Sequence, residues 1–405
     1  MSDGEKRILV ADKFSSSGLE RLKALGVKLR YEPDSSAEKL PEMLDGVAVL
    51  VVRSTKVKAA AIEAGKELQL IVRAGAGTDN IDTEKASALG IYVANCPGKN
   101  AAAVAELTMG LLLAADRRIP QATADLKAGK WSKGEYGKAD GLKGRTLGVL
   151  GVGGIGERVI ERAKAFGMPV LAWSRSLTAE RAQELGVERV QDPLAIATRA
   201  DAVSIHVAYT PQTRHLIDAK FLAAMKPRAI LINTSRGEVV DLQALEEAVK
   251  TRGIRPALDV FEGEPGAAAA DFTLAIKDAP GFVGTPHIGA STEQAQEAIA
   301  QEAVRIVECF LKSGSVPNCV NLAERTPAQW LLAVRHFDRV GVLAGIFDEL
   351  RTNGINVQRT SNIVFQGAGA AVARIELDSA PEATTLAALR GQNHVLSVEL
   401  VPLKA

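Results

Sequence analysis

Three short stretches each set a polar side chain at the end of an apolar run: "INTSRGEVVD" (232–241), "ALDVFEGEP" (257–265) and "VGTPHIGAST" (283–292). They carry Arg236, Glu264 and His287. An arginine fork binds a carboxylate through paired hydrogen bonds and polarises an oxygen beside it. A histidine takes a hydroxyl proton in one direction and returns it in the other, because imidazole titrates in the useful range. A glutamate bonded to that imidazole fixes its orientation and stabilises its charged form. Together the three suit oxidation of a 2-hydroxy acid, or reduction of its keto acid, with hydride passing to or from a separate carrier. His287 is one of five histidines, and a lone histidine is ordinarily a packed residue satisfied by a neighbour. What argues for chemistry here is its company.

The carrier has its own signature upstream. Gly151, Gly153 and Gly156 form G-x-G-x-x-G between the strand pattern "TLGVL" and the helix pattern "IGERVIERAKAFG", the context this motif requires. Gly151 permits a tight turn, Gly153 lets the backbone approach a pyrophosphate, and Gly156 lets helix lie against strand. The pyrophosphate would sit at the helix N-terminus, where free N–H groups and the helix dipole favour anions. The expected cofactor is NAD. At the end of the next strand, where an acidic residue normally holds the ribose of NAD, the chain has "WSRS" (173–176). Two readings stand: Ser174 hydrogen-bonds the NAD ribose with Arg175 in solvent, or Arg175 pairs with the 2′-phosphate of NADP. In open α/β sheets ligands bind outside the carboxyl ends of strands, so these groups should share one crevice with Arg236, Glu264 and His287.

The elements that position these groups follow from periodicity. Between Arg7 and about Val93 the strand patterns "RILVA", "VKLRY", "VAVLVV", "LQLIVRA" and "IYVAN" alternate with amphipathic segments. One of these is "SSSGLERLKALG", with serines to cap it and Gly26 to end it. Such alternation predicts a mostly parallel open sheet. A long helix over 101–117 and the basic stretch "KAGKWSKGEYGKADGLKGR" interrupt it. A second doubly wound unit is expected over 99–291, with later strands "DAVSIHV", "AILINTS", "PALDVF" and "FVGTPHI". Ser291 with Gln294 predicts a capping box for a helix running to Gly314. Beyond the linker "SVPNCVNLAERTP", residues 328–405 read βαββαβ, a ferredoxin-like domain.

Composition agrees with this α/β class. At 405 residues two or three cores are expected, and aromatics are only 4%, as in Ala-rich helices on Val/Ile-rich strands. A net charge of +1 argues against nucleic acid or an anionic membrane as partner. Cys96, Cys309 and Cys319 lack metal-ligand spacing and read as reduced thiols, with no metal expected. The charged N-terminus is unlike a signal peptide, and the apolar run "AAAVAELTMGLLLAA" carries Glu106 and falls short of the ~20 residues of a membrane span. A cytoplasmic protein is expected.

"TSRG", "ALDVFEGEP" and "PHIGAS", with "RAGAGTDNID" and "VAELTMGLLLA" before the glycine motif, resemble the D-isomer-specific 2-hydroxyacid dehydrogenases over about 1–323. The resemblance implies that Arg236 binds and polarises substrate, that Glu264 orients His287, and that His287 is the acid/base. It places Asp259 near the nicotinamide carboxamide and implies further cofactor contacts at Ile155, His206, Thr210, Ser235 and Gly289. It also implies a discontinuous substrate domain, 1–98 with 292–323, against a dinucleotide domain over 99–291, the substrate lying in a cleft whose closure excludes water.

"RSTKV" and "RAGAGTDNID" are similar to the phosphoglycerate dehydrogenases of that family. That likeness implies a substrate phosphate facing Arg53 and Arg73, with Ser54 and Lys56 nearby; backbone N–H groups of Ala76 and Gly77 suit a carboxylate. The plain alternative is that these are solvated strand-end charges. The expected reaction is interconversion of 3-phosphoglycerate and 3-phosphohydroxypyruvate, the entry to L-serine biosynthesis. A hydroxypyruvate or glyoxylate reductase is the alternative. A cofactor-gated binding protein, as the related C-terminal-binding corepressors are, stands further off. Trp131 and Lys133 are similar to residues that reach across a subunit contact in some of these enzymes, and a dimer or tetramer is expected.

"RHFDRVGVLAGIFDELRTNGINVQRT" resembles an ACT domain over 328–405. It implies a turn at Gly341 open to a ligand and an L-serine effector site at His336, Asp338 and Asn356. The alternative is a purely oligomerising domain. Two departures stand out: Asp338 where an amide is common, and Val340 where proline is usual. An aspartate would favour a ligand's ammonium over its carboxylate.

Overall fold

A computed structural model describes residues 6–265 and 270–403, so the outermost ends of the first and last expected domains lie outside the described residues. The first sheet comprises β1 (Arg7–Val10), β2 (Lys28–Tyr31), β3 (Val47–Val52), β4 (Leu70–Arg73) and β5 (Tyr92–Ala94). All pairs are parallel, in the order β2-β1-β3-β4-β5. The run "VAVLVV" of β3 is buried at every position, as a parallel strand covered on both faces requires. One face is closed by a helix from far along the chain, Glu293–Ser313. Its Ile299, Ala303, Val304, Ile306, Val307 and Phe310 join the core beneath Ile8, Val49 and Leu70. Gly314, in the left-handed conformation, ends that helix.

The start of this helix corrects one expectation. Its cap is Thr292, whose hydroxyl accepts from the Ala295 amide at 3.1 Å, not a Ser291–Gln294 box. The Ser291 amide instead donates back to the Ile288 carbonyl at 2.8 Å, closing the histidine loop and moving the cap one residue on.

The second sheet comprises β6 (Leu147–Leu150), β7 (Val170–Trp173), β8 (Glu188–Arg189), β9 (Ala202–Ile205), β10 (Ile230–Asn233), β11 (Arg255–Leu258) and β12 (Val283–Gly284). It is parallel throughout, in the order β12-β11-β10-β9-β6-β7-β8. The order reverses between β6 and β9, the switch point at which such sheets bind ligands. The helix Ala101–Arg117 buries Ala105, Met109, Leu111, Leu112 and Ala115 against this sheet. The pattern "FVGTPHI" had predicted a full strand, yet β12 has two residues, because Pro286 intervenes and His287 has φ +52°. Both sheets belong to one compact unit, Met1–Asn321.

The second unit, Leu322–Ala405, holds β13 (Trp330–Phe337), β14 (Val357–Val364), β15 (Ala370–Leu377) and β16 (Val395–Pro402). These pair antiparallel in the order β14-β15-β13-β16. Helices Val342–Thr352 and Ala383–Gly391 complete a βαββαβ unit whose own core includes Leu332, Val334, Ile346, Ile375 and Leu389. Among the described residues no helix is long and apolar enough to cross a membrane, and no group of His, Cys, Asp or Glu could hold a metal ion.

Candidate active site

The glycine turn is built as its spacing requires. Gly151 has φ +97°, and a Cβ there would stand 2.5 Å from the His206 carbonyl oxygen. A Cβ on Gly156 would stand 2.1 Å from the Gly151 carbonyl oxygen, so helix Gly154–Ala165 lies against β6 only because this position is bare. Around Gly153 a Cβ would meet nothing within 4 Å. The middle glycine thus faces an open cradle at a helix N-terminus, which fits the pyrophosphate of a dinucleotide. Ile155 packs into the core beneath β6. Beside the turn, where Gly151 N donates to the Trp173 carbonyl at 2.8 Å, Ser174 is half-buried and Arg175 is exposed. The Arg175 side chain has no hydrogen-bond or ion-pair partner among the described residues.

At the end of β9, His206 is half-buried, and desolvation of its ring depresses its pKa to about 3, leaving the imidazole neutral. Its Nε2 pairs with Ser204 Oγ at 2.8 Å, while its Nδ1 has no partner among the described residues. Thr210, in the following loop, shares its hydroxyl with Thr213 at 3.2 Å.

The loop after β10 carries Arg236 and is shaped by a residue the sequence reading passed over. Asn233 is buried; its Oδ1 accepts from Ser235 N at 3.0 Å and Ser235 Oγ at 2.8 Å, and its Nδ2 donates to the Arg236 carbonyl at 2.8 Å. Gly237 next to it passes so close to Phe261 that a Cβ would stand 2.0 Å from that residue's carbonyl carbon. The two loops of the site therefore rest on each other.

Glu264 and His287 meet directly, Oε1 against Nδ1. The other carboxylate oxygen of Glu264 accepts from Phe261 N at 3.2 Å. Burial alone would raise the Glu264 pKa, but the bond to His287, its charge, the Phe261 amide and Arg236 together hold it below the usual carboxylate value. The His287 side chain remains 46% exposed. Its left-handed backbone, a conformation that costs about 1–2 kcal/mol for an L-residue, is held by Asp259. The Asp259 carbonyl accepts from His287 N at 2.8 Å. Its buried carboxylate takes Thr285 Oγ1 at 2.6 Å, Ile288 N at 2.8 Å and Gly289 N at 2.9 Å. Asp259 is thus committed to the histidine loop, as is the Gly289 amide.

On the first sheet, Arg53 follows the end of β3 and Arg73 ends β4. Asp12, after β1, gathers the Arg53, Ser54 and Thr55 amides onto one carboxylate oxygen at 2.6, 3.0 and 3.0 Å. Arg53 Nη2 reaches Ser291 Oγ at 3.5 Å, and Lys56 is exposed. Arg73 is largely buried with its Nε unpartnered; burial first, then repulsion from Arg236 and Arg53, pushes its pKa down to about 10. The Ala76 carbonyl accepts from Asn95 at 2.5 Å, while the Ala76 and Gly77 amides have no acceptor among the described residues. Asp12 acts only on backbone amides and Asn233 mostly on the backbone of the loop after it, and the available signal, a polar residue at or just past the end of a buried strand, is common. Trp131 stands 81% exposed, and Lys133 opens the short helix Lys133–Tyr136.

In the second unit, His336 is buried, with Nδ1 2.8 Å from the Phe337 carbonyl and Nε2 3.1 Å from Asn362 Oδ1. Both ring nitrogens are engaged within the unit, so the imidazole offers no free nitrogen to the expected effector. Asp338 N donates to the Gly369 carbonyl at 3.2 Å, and Asn356 N donates to Asp378 Oδ1 at 3.2 Å, leaving both side chains without partners among the described residues. Gly341 caps helix Val342–Thr352 with φ +92°, and Val340 beside it is fully exposed.

Residues 109–289 match the D-isomer specific 2-hydroxyacid dehydrogenase family, NAD binding domain. The chain is also 46% identical over 269 residues to hydroxypyruvate reductase of Thermotoga maritima, covering 66% of this chain and 86% of that one. The chain belongs to the D-isomer-specific 2-hydroxyacid dehydrogenases. Another member of the family, D-3-phosphoglycerate dehydrogenase of Methanocaldococcus jannaschii, is 43% identical over 318 residues, covering 78% of this chain and 59% of that one. The chain spans less than two thirds of the length of the phosphoglycerate dehydrogenases it matches first. Among solved structures of these dehydrogenases, NAD+-bound 3-phosphoglycerate dehydrogenase of Entamoeba histolytica matches with TM-score 0.67 at 26% identity, covering 79% of this chain and 99% of that one. The glycine cradle and the family's NAD-binding domain agree on the cofactor, NAD.

Proposed function

We propose that the chain interconverts 3-phosphoglycerate and 3-phosphohydroxypyruvate with NAD, the first step of L-serine biosynthesis. The observation that carries this reading is the clustering of Arg53, Arg73 and Arg236 beside the Ala76–Gly77 turn, whose amides lack acceptors. One guanidinium and two amides suffice for the carboxylate of a small hydroxy acid. A buried second arginine, its charge already disfavoured by its neighbours, gains most from a further anion, and a phosphate supplies one. The phosphoglycerate dehydrogenase relatives support the same substrate.

Bound nicotinamide supplies the hydride for the keto acid or removes it from the hydroxy acid. The remaining work falls to the chain. Arg236 holds the carboxylate and polarises the C2 oxygen. His287, fixed through Nδ1 by Glu264, delivers a proton from Nε2 to that oxygen in reduction and accepts it in oxidation. Glu264 stays ionised to balance the imidazolium. Arg53, Ser54 and Arg73 take the phosphate. Gly151, Gly153, Ile155, Gly156, Ser174, His206, Thr210, Ser235 and Gly289 would hold the dinucleotide, with Asp259 as a further contact. The second unit is assigned as an ACT domain that joins cytoplasmic homo-oligomers, dimers or tetramers, and L-serine is its candidate effector.

The second reading is an NADPH-dependent reductase of hydroxypyruvate or glyoxylate, favoured by the unpartnered Arg175 and by the hydroxypyruvate reductase relative. One experiment separates them: steady-state turnover of 3-phosphohydroxypyruvate and hydroxypyruvate, each with NADH and NADPH, in wild type and Arg73→Ala. The phosphorylated substrate with NADH should be preferred. Arg73→Ala should lose about 10- to 100-fold in kcat/KM on it, and far less on hydroxypyruvate. Preference for hydroxypyruvate, or equal losses on both substrates, would overturn the phosphate assignment.

A further inference from the structure

Arg236 follows β10 in the second sheet, yet its guanidinium is held from the first-sheet side of the crevice. Nε donates to Asp79 Oδ2 at 2.9 Å, and Nη1 donates to the Ser235 carbonyl at 2.7 Å. Nη2 then lies over the Ala76–Gly77 turn, so close that a Cβ on Gly77 would stand 2.1 Å from it and 2.9 Å from Asp79 Oδ2. The segment bearing Asp79 is itself anchored. Asn80 Nδ2 donates to the Thr55 carbonyl at 2.8 Å, Val57 N to the Asn80 carbonyl at 2.8 Å, and Ile81 N to the Thr78 carbonyl at 2.9 Å.

We infer that Asp79 is a positioning residue that aims Arg236: by holding Nε, it turns Nη2 toward the free amides of Ala76 and Gly77, so that a substrate carboxylate meets backbone and guanidinium donors together. Asp79 follows "RAGAG" in the chain, so the backbone that supplies the amides also supplies the carboxylate that orients their partner. The need for such a hold follows from the surroundings. Arg236 is repelled by Arg73 and attracted by Glu264, whose pKa it helps lower. Released, the guanidinium would swing toward Glu264 and away from the turn. As a partly exposed ion pair, Asp79–Arg236 adds little to stability. Its consequence is orientation.

This inference rests on Arg236 binding the carboxylate, the part of the proposed function that phosphorylated and plain 2-keto acids share. Its test is Asp79→Ala and Asp79→Asn in the full chain, assayed with NADH against both 3-phosphohydroxypyruvate and hydroxypyruvate. Alongside, the rate of phenylglyoxal modification of Arg236 is mapped by peptide mass spectrometry without substrate. Asp79→Ala should raise KM for both keto acids by about 10- to 100-fold, with a smaller change in kcat. It should also speed modification of Arg236. Asp79→Asn, which still offers an acceptor to Nε, should fall between, and NADH affinity by fluorescence should be unchanged in both. An unchanged or lowered KM in Asp79→Ala would overturn the inference, since Asp79 would then be idle or a competitor of the substrate. So would an Arg236 that reacts equally fast in wild type and variant. If wild type reduces only hydroxypyruvate, the phosphate reading fails while Asp79 is judged on hydroxypyruvate. If it reduces neither, the phenylglyoxal rates decide alone.

Discussion

Among the histidines of this chain that sit in polar clusters, one from each compact unit makes an informative pair, because the clusters differ in what they leave open. His287 gives one ring nitrogen to Glu264 and stays 46% exposed. His336 is 1% exposed, with both nitrogens against protein oxygens. The difference lies in the neighbours rather than the imidazole. Asp259 ties down the backbone around His287 and none of its ring, while the other ring nitrogen has no hydrogen-bond partner among the described residues. Around His336 the small side chains of Ala371 and Ala373 on β15 leave room for the ring to reach Asn362 on the next strand. A histidine held through one nitrogen is prepared to exchange a proton with a ligand. A histidine held through both joins strands.

The largest effect that would sharpen this contrast is His287→Ala. General acid–base catalysis contributes roughly 10²–10⁴-fold, and kcat should fall in that range in both directions. NADH affinity, measured by fluorescence, should be unchanged, because the glycine cradle lies on other elements. A loss below about tenfold would break the comparison, since the exposed nitrogen would then not be the proton carrier.

Glu264→Gln should have the next effect. The amide still offers an oxygen to Nδ1 but no charge to balance the imidazolium. Keto-acid reduction should fall by about 10- to 100-fold, and its optimum should move to lower pH, where the imidazole can be protonated without help. The sign for the wild-type glutamate follows from its depressed pKa. Its contribution is complete above the ordinary carboxylate value and is lost as pH falls through the lower folded value. In keto-acid reduction, where His287 acts as the protonated acid, the acid limb contributed by Glu264 therefore lies below the ordinary carboxylate range, and an unmoved optimum in Glu264→Gln would show that the charge of Glu264 does not tune His287.

How much of this was legible before the structure depends on whether a residue acts through its own side chain or through others. The glycine motif was readable because strand, turn and helix are consecutive, and φ +97° at Gly151 with the tight approach at Gly156 is what that spacing demands. Arg236, Glu264 and His287 were readable as types, each at the end of its own apolar run. Asp12, Asn233 and Asp79 were not. The first two act on backbone amides of their own or a neighbouring strand end, and Asp79 meets a guanidinium 157 positions away. The helix Glu293–Ser313 shows the same limit, for its periodicity reveals an apolar face without saying which sheet that face covers. The two-residue β12 and the shifted Thr292 cap came from the histidine loop itself. A left-handed residue ends the strand early, and the turn after it uses the Ser291 amide.

The smallest effect on turnover should come from His336→Ala, where the contrast can be broken from the other side. The variant removes a buried ring that bridges β13 and β14, leaving Asn362 Oδ1 without its partner and a gap above Ala371 and Ala373. The lost hydrogen bond, part-buried because Asn362 is exposed, is worth about 0.5–1.5 kcal/mol, and the gap left by the ring adds to it, so the thermal transition of the second unit should move down by several degrees. Turnover below that transition should stay within about twofold, because both hydrogen bonds of His336 are made inside its own unit. Saturating L-serine adds a second arm. A ligand that needed the imidazole would have to displace Asn362 or the Phe337 carbonyl, and so would stabilise wild type but not the variant. Equal stabilisation of both would put the amino acid on Asp338 and Asn356, whose side chains are free, and leave His336 as a strand bridge. A collapse of keto-acid turnover in folded His336→Ala would instead mean that a histidine with no open nitrogen reaches the chemistry through the packing around it, and the rule drawn from His287 would fail.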